Sequence, residues 1–517
     1  MWIHRPWGRC AVFFAALGIL ALTRFPFAPP YLFFHDTVNF ALSIREFNPS
    51  LHQPQPPGYP LFVALLKLIH AGVPSAETTL LLAGIIGAAL AVYFLWLLGD
   101  SMFGPPAGVA AAVLLLFHPL VWFSGLTNPV RLFLAVCQAG TALMAWRSWE
   151  RRTTSLDALR SLLWLALTLG VLSGFRPVML LLMSPLFLAA LLRHRALGRR
   201  LILPPLLLTL VVSGWITALL AASGGIDAYL RLIEGYSHEQ FGGSSLLFGA
   251  STPAAWKMAK DAFVWNGFAV AAWIWAIPLA GWRLRALFQG RVLFLLLSFV
   301  PPFLFSMFVH VADPDQALMT VPVVCLAGGA VLQEAFNSWR HRVPAPAAVA
   351  VACLSFSACL STYLFFHPPA GPARAAGYGV IRYVNNHMRD TFTTIEELRR
   401  ARPVQIISFR PPISWRNLSY YFPDIPIIVV EPDDPSRVWQ AGSHWGQSVP
   451  RQEGKVIIDY GRDIVILLSP DERHLRITLQ TQAGFRQKGP LLHAPHPGTE
   501  FQVGGVTFET LAPLAGK

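Results

Sequence analysis

The sequence predicts an α-helical polytopic membrane protein of about eleven spans, with a C-terminal extracytoplasmic α/β domain. Three observations predict it. Of 517 residues, 54% are hydrophobic and only 13% are charged, against roughly 25% charged in an average soluble chain. Apolar runs near the length that crosses a bilayer, about 20 residues, recur from the N-terminus to residue 366. Beyond that point the composition switches to short β-rich runs punctuated by turn residues. So few charges exclude a soluble enzyme, a disordered chain and a nucleic-acid-binding domain. The net charge of +13, from 40 Lys+Arg and 27 Asp+Glu, reads instead as cationic cytoplasmic loops. The five cysteines lie in apolar runs without CxxC spacing, which argues against redox and zinc chemistry.

The apolar runs fall near 11–31, 78–98, 106–124, 128–147, 159–175, 177–193, 201–222, 263–282, 292–310, 316–334 and 345–366. The first has a basic start and an apolar core, as a signal peptide has, but Phe25 to Phe34 continues apolar without an A-x-A site, so an uncleaved span is expected. A twelfth run, Tyr59 to Val73, is short and follows Pro-Pro-Gly. Basic clusters at Arg147/Arg151/Arg152, Arg193/Arg195/Arg199/Arg200, Arg283/Arg285/Arg291 and Arg340/Arg342 all fall on the cytoplasmic side if 59–73 does not cross. The N-terminus is then inside and the C-terminus outside. Residues 1–366 form the membrane domain, with outside loops at 35–58 and 223–262, and 367–517 form the soluble domain.

In the tail, strands are expected at Val404–Ser408, Ile425–Val430, Lys455–Tyr460, Asp463–Leu468 and His474–Gln480, with a hairpin at Gly504-Gly505. Helices are expected at Ala373–Met388 and Ser414–Tyr421. The tail lacks GxGxxG, a P-loop, HExxH and GxSxG and reads as a cap or an acceptor-docking domain.

The first outside loop, FFHDTVNFALSIREFNPSLHQPQPPGYPLF, is the most informative stretch. Asp36 stands where a hydrophobic span ends, a depth at which an acid is expensive and suggests function. The competing reading is that Asp36 N-caps a helix starting at Thr37. His52, Gln53 and Gln55 follow, then a rigid Pro-Pro-Gly-Tyr lead into the next apolar run.

A long first span, an outside acid at its end, a short amphipathic helix, a PPGYP lead, many short-looped spans and an outside C-terminal domain resemble the GT-C glycosyltransferase superfamily. The nearest branch is the bacterial one related to protein O-mannosyltransferases and the lipid A aminoarabinose transferase. The resemblance covers about residues 10–366 and is strongest over 34–66. It implies an integral enzyme of a bacterial inner membrane, which moves a hexosyl or pentosyl group from a polyprenyl-phosphate donor to a hydroxyl of a lipid, glycan or protein acceptor. It also implies that Asp36 is the catalytic base. Two departures weaken a protein acceptor: Thr37 stands where O-mannosyltransferases carry a second acid, and Thr127-Asn128-Pro129-Val130-Arg131 stands where they carry another.

A polyprenyl phosphate leaves as an anion, which cations at the membrane surface stabilise. The outside face offers Arg131, Arg176, Arg231, Lys257 and Lys260. Arg176, before Pro177 and between two apolar spans, is the favoured phosphate ligand, with Arg131 and Lys257 beside it; the competing reading is snorkelling to headgroups. His35, His52, Gln55, Tyr59 and His310 are assigned to the substrate cavity. The His and Asp spacings, including Asp313 and Asp315, match no standard ligand pattern, so no metal or other cofactor is expected, a divalent ion being the lesser expectation. A transporter or flippase with a charged pathway is the alternative function, and a scaffold displaying the tail is a weaker one.

Overall fold

The computed structural model describes residues 6–150, 155–242, 245–309, 313–339, 345–409, 413–431, 434, 436–441, 447–459, 461–469, 471–494 and 500–511. The chain divides into two compact units: Met1–Ala28 with Phe40–Val380, and Pro29–Asn39 with Ile381–Lys517. The composition step at 366 therefore lies before the second unit begins. Residues 367–380 stay with the helical unit because Trp265 Nε1 donates to the Pro372 carbonyl at 2.9 Å and Tyr378 packs on Phe366 at 5.3 Å.

The helical unit comprises α1 (Pro6–Arg24), most of α2 (His35–Arg45), α3 (Pro60–His70), α4 (Ala76–Phe103), α5 (Pro105–Leu116), α6 (Pro119–Thr127), α7 (Leu132–Glu150), α8 (Ser155–Ser173), α9 (Val178–Arg193), α10 (Leu203–Ala222), α11 (Ile226–Phe241), α12 (Thr252–Ala271), α13 (Ile277–Ala280), α14 (Leu284–Phe288), α15 (Val292–Phe308), α16 (Val321–Trp339) and α17 (Pro346–Phe366). Among the described residues, six helical stretches are long and apolar enough to cross a membrane, and eight if the bent pairs α5/α6 and α12/α13 each count as one. The apolar helices α9 and α15 are shorter, at 16 and 17 residues, and carry internal prolines. Helix α3 has 11 residues, or roughly 16 Å at 1.5 Å per residue, about half the hydrocarbon thickness.

Local chemistry explains the α5/α6 break. Pro119 disfavours helical geometry at the residue before it, and His118 is extended, its Nδ1 accepting from the Leu120 N–H. The chain bends by 48° there. Arg24, 2% exposed, donates from Nη2 to the Leu116 carbonyl at the end of α5 and lies 3.3 Å over the Trp122 ring. Helices α4 and α5 approach through glycine: a Cβ on Gly108 would stand 2.6 Å from the Trp96 carbonyl oxygen and 2.7 Å from the Asp100 nitrogen. Small residues give membrane helices this closeness.

The second unit is α/β. Helix α18 (Tyr378–Ala401) leads into β1 (Val404–Ser408), α19 (Trp415–Tyr421) and β2 (Ile427–Val430). Then come β3 (Val438–Ala441), β4 (Gln447–Ser448), β5 (Arg451–Gln452), β6 (Lys455–Asp459), β7 (Asp463–Leu467), α20 (Arg473–Gln482), β8 (Arg486–Lys488), β9 (Leu491–Ala494), β10 (Glu500–Val503) and β11 (Val506–Leu511). A seven-stranded sheet runs β4-β3-β2-β1-β7-β9-β8, with a four-stranded one ordered β10-β11-β6-β5. Strands β2, β1 and β7 are parallel and buried on both faces, as continuous apolar runs require. Ile406, Ile427 and Val465 meet Phe392, Ile395 and Leu418 on one face. Ile407, Ile428 and Ile466 meet Leu479, Phe501 and Phe508 on the other. The strand expected at His474–Gln480 is instead helix α20. Leu475, Ile477 and Leu479 alternate, but Leu475 and Leu479, one helical turn apart, pack on the core while Ile477 is 58% exposed.

Candidate functional site

Asp36 belongs to the segment Pro29–Asn39 of the α/β unit. The Phe34 carbonyl accepts from the Val38 N–H at 3.2 Å, so Phe34 is the N-cap and α2 starts at His35. Thr37 Oγ1 accepts from the Phe34 N–H at 3.0 Å, reaching back as the third residue of a capping box does. The capping reading of Asp36 is thereby corrected: the helix begins before it, and Thr37 makes the cap. Asp36 is half-buried in the first turn, where the helix dipole favours a carboxylate. His35 Nδ1 shares a 2.7 Å hydrogen bond with Ser414 Oγ, and its ring stands edge-on to Trp415 at 5.4 Å.

In the helical unit, the loop after α2 is built by its own polar atoms. Asn48 caps the turn Pro49–Leu51 through its side chain and exchanges backbone bonds with Gln53 at 2.6 and 3.0 Å. The Gln53–Pro54 and Pro56–Pro57 peptides are cis. The Tyr229 hydroxyl donates to the Pro57 carbonyl at 3.1 Å, and His52 packs edge-on to Tyr236 at 5.8 Å. Gln55 is buried, and its Oε1 has no hydrogen-bond partner among the described residues.

The PPGYP lead docks on the turn between α8 and α9. The Leu61 N–H donates to the Gly174 carbonyl at 3.1 Å, and a Cβ on Gly174 would stand 2.7 Å from Leu61 Cδ1. That contact brings the Tyr59 ring to 5.0 Å from the Arg176 guanidinium. Arg176 is 4% exposed, and its Nε has no hydrogen-bond partner among the described residues. Nor does its guanidinium make an ion pair there. Burial holds its pKa below the usual arginine value, and Tyr59, Arg131, Cys137 and Asp315 lie within electrostatic reach.

Arg131 ends the turn Pro129–Arg131. Its Nη2 donates to Asp313 Oδ2 at 3.1 Å, and its Nε lies 3.7 Å from Asp315 Oδ1. Asp315 is fully buried and Asp313 about a third exposed. The turn Asp313-Pro314-Asp315 thus supplies counterions to Arg131.

Arg176, Arg131 and Tyr59 therefore converge, with Gln55 and His52 on the adjoining loop. Lys257 and Lys260 are exposed on α12, and Arg231 on α11; none makes a contact described for the Arg176 pocket. His310 lies outside the described residues. The residues Asp315, Tyr229 and Arg24 carry weight the sequence reading did not give them. A charge closing a hydrophobic span was the available signal for Arg24. Among the described residues no group of three or more His, Cys, Asp or Glu is arranged to hold a metal.

No protein-family model matches the chain, and a comparison with curated protein sequences finds no match. Solved structures do match. ArnT from Cupriavidus metallidurans bound to undecaprenyl phosphate aligns at 13% identity with a TM-score of 0.60, over 94% of this chain and 97% of that one. The apo form of ArnT aligns at 13% identity with a TM-score of 0.62, over 94% and 98%. The chain has the fold of ArnT along nearly its whole length.

Proposed function

We propose that this GT-C-fold chain is an integral-membrane glycosyltransferase. It moves a sugar from a polyprenyl-phosphate donor to an acceptor hydroxyl on the extracytoplasmic side of a bacterial inner membrane. The observation that carries the reading is Arg176, a buried guanidinium without an ion-pair partner among the described residues, stacked on Tyr59 beside the Arg131–Asp315 pair. A buried cation of this kind is expensive until an anion pairs with it, and its planar fork suits a phosphate. ArnT, similar in fold, has been crystallised with undecaprenyl phosphate.

In this reading Asp36 accepts the proton of the acceptor hydroxyl as its oxygen attacks the anomeric carbon. The bond from that carbon to the phosphate oxygen breaks, and its electron pair leaves on the polyprenyl phosphate, whose charge Arg176 holds. One displacement inverts the anomeric centre. His52, Gln55 and Tyr59 line the approach.

The test uses purified full-length protein, a panel of undecaprenyl-phosphate hexoses and pentoses, and an extract of the host envelope as acceptor. Sugar-dependent release of undecaprenyl phosphate with inversion at the anomeric carbon is expected. Asp36→Asn should lower turnover by at least about 10²-fold with the thermal midpoint unchanged. Movement of intact donor across vesicles without release, or full turnover by the Asn variant, would overturn the assignment.

A further inference from the structure

The eleven residues that carry Asp36 fold with the α/β unit, and polar side chains of α19 hold them there. The Leu32 peptide is gripped on both sides: its N–H donates to the Tyr421 hydroxyl at 2.9 Å, and its carbonyl accepts from Asn417 Nδ2 at 2.6 Å. Ser414 Oγ bonds His35 Nδ1 at 2.7 Å while accepting from the Arg416 N–H at 3.2 Å. Arg416 Nε donates to Asn39 Oδ1 at 3.0 Å. The Tyr31 ring packs edge-on to Phe392 at 5.0 Å and to Tyr421 at 5.5 Å.

His35 and Asn39 are four apart and share a face of α2. Asp36 follows His35 by one residue and so lies on a different face. The contacts fix the backbone and one face of the helix that bears the acid. Arg416 and Asn417 are fully buried. Burial pushes the Arg416 guanidinium down to about 10. Apolar side chains would cover a neighbouring segment at less desolvation cost than a buried guanidinium and amide. What polar groups add is a fixed direction, since each hydrogen bond sets distance and angle together.

We infer that α19 positions Asp36, with Ser414, Arg416 and Asn417 as positioning residues, so that the C-terminal unit sets the rate of the transfer step instead of only capping the protein. The inference rests on Asp36 being the base. Misplacing a reacting group by about 1 Å costs on the order of 10²-fold in rate.

The experiment uses the full chain and four variants: Ser414→Ala, Asn417→Ala, Asn39→Ala and Arg416→Ala, plus the Asn39→Ala/Arg416→Ala double variant. Turnover is read as undecaprenyl phosphate released from the best undecaprenyl-phosphate sugar of the panel. Affinity is read with undecaprenyl phosphate itself. We expect kcat to fall about 10- to 10²-fold with affinity within about twofold, and the double variant to be no slower than the slower single one. Ser414→Ala removes one oxygen and serves if Arg416→Ala fails to fold. Unchanged kcat in Ser414→Ala and Asn417→Ala, or affinity falling in step with kcat, overturns the inference. Full turnover by Asp36→Asn overturns it together with the base assignment, whereas an inactive Asn variant beside fully active α19 variants overturns the positioning role alone.

Discussion

Replacing Arg176 by Met should have opposite effects on ligand binding and on folding. A guanidinium that grips two phosphate oxygens makes two charge-assisted hydrogen bonds, each worth about 1.5–3 kcal/mol. The lower figure taken twice is about 3 kcal/mol, and at about 1.4 kcal/mol per decade the Met variant should bind undecaprenyl phosphate about 10²-fold more weakly. The ligand-free protein tells the reverse story. Arg176 is 4% exposed and has no ion pair among the described residues, so Met removes a desolvated cation. Loss of the stacking on Tyr59, about 0.5–2 kcal/mol, offsets part of that gain. The thermal midpoint without ligand should therefore equal or exceed that of the wild type. Fluorescence titration with undecaprenyl phosphate in detergent gives the affinity, and a thermal melt gives the midpoint. Wild-type affinity in the Met variant, or a midpoint lower by more than about 5 °C, roughly 2 kcal/mol or more in a chain of this size, would refute the reasoning and make Arg176 a packing residue.

The other predictions concern folding and orientation. Arg131→Ala removes the cation from buried Asp315, and breaking such a pair costs about 3–5 kcal/mol; size-exclusion chromatography should show little folded protein, with Arg131→Lys recovering part of it. Gly108→Val drives a side chain into the Trp96 carbonyl and should destabilise by about 1–3 kcal/mol or more, whereas Gly18→Ala, with nothing within 4 Å, should melt like the wild type. With native cysteines replaced, Arg486→Cys should react with an impermeant maleimide from the outer side, and Ala196→Cys only once the cytoplasmic side is opened; the reverse pattern would remove the basis for the mechanism.

The parts of the fold legible in the sequence are those set by local chemistry. The PPGYP lead shows itself because Pro and Gly restrict the backbone whatever surrounds them, and Arg176 because a cation between two apolar runs has few structural uses. The Arg131–Asp313 pair joins residues 182 apart, and the Arg416–Asn39 bond residues 377 apart; no pattern within a span or loop announces either. Helix α20 is not legible in the sequence because Leu475, Ile477 and Leu479 fit a two-residue period as well as a helical one, and only the core on which Leu475 and Leu479 pack decides between them. Lys257 is eligible by sequence position alone, and its exposure on α12 is a tertiary fact.

The path of the chain between its two units also bears on how the protein can be taken apart. The backbone passes into the α/β unit at residue 29, returns at 40, and passes in again at 381. A C-terminal fragment cut at the composition step would lack Pro29–Asn39 and expose the Leu32, His35 and Asn39 partners on α19 to water. A chimera that borrows the tail of a relative would set foreign residues against this chain's own first loop. Grafting between relatives should therefore exchange the loop and the tail as one inheritance unit, and covariation between positions 29–39 and 413–421 is the trace such coupling would leave across a family.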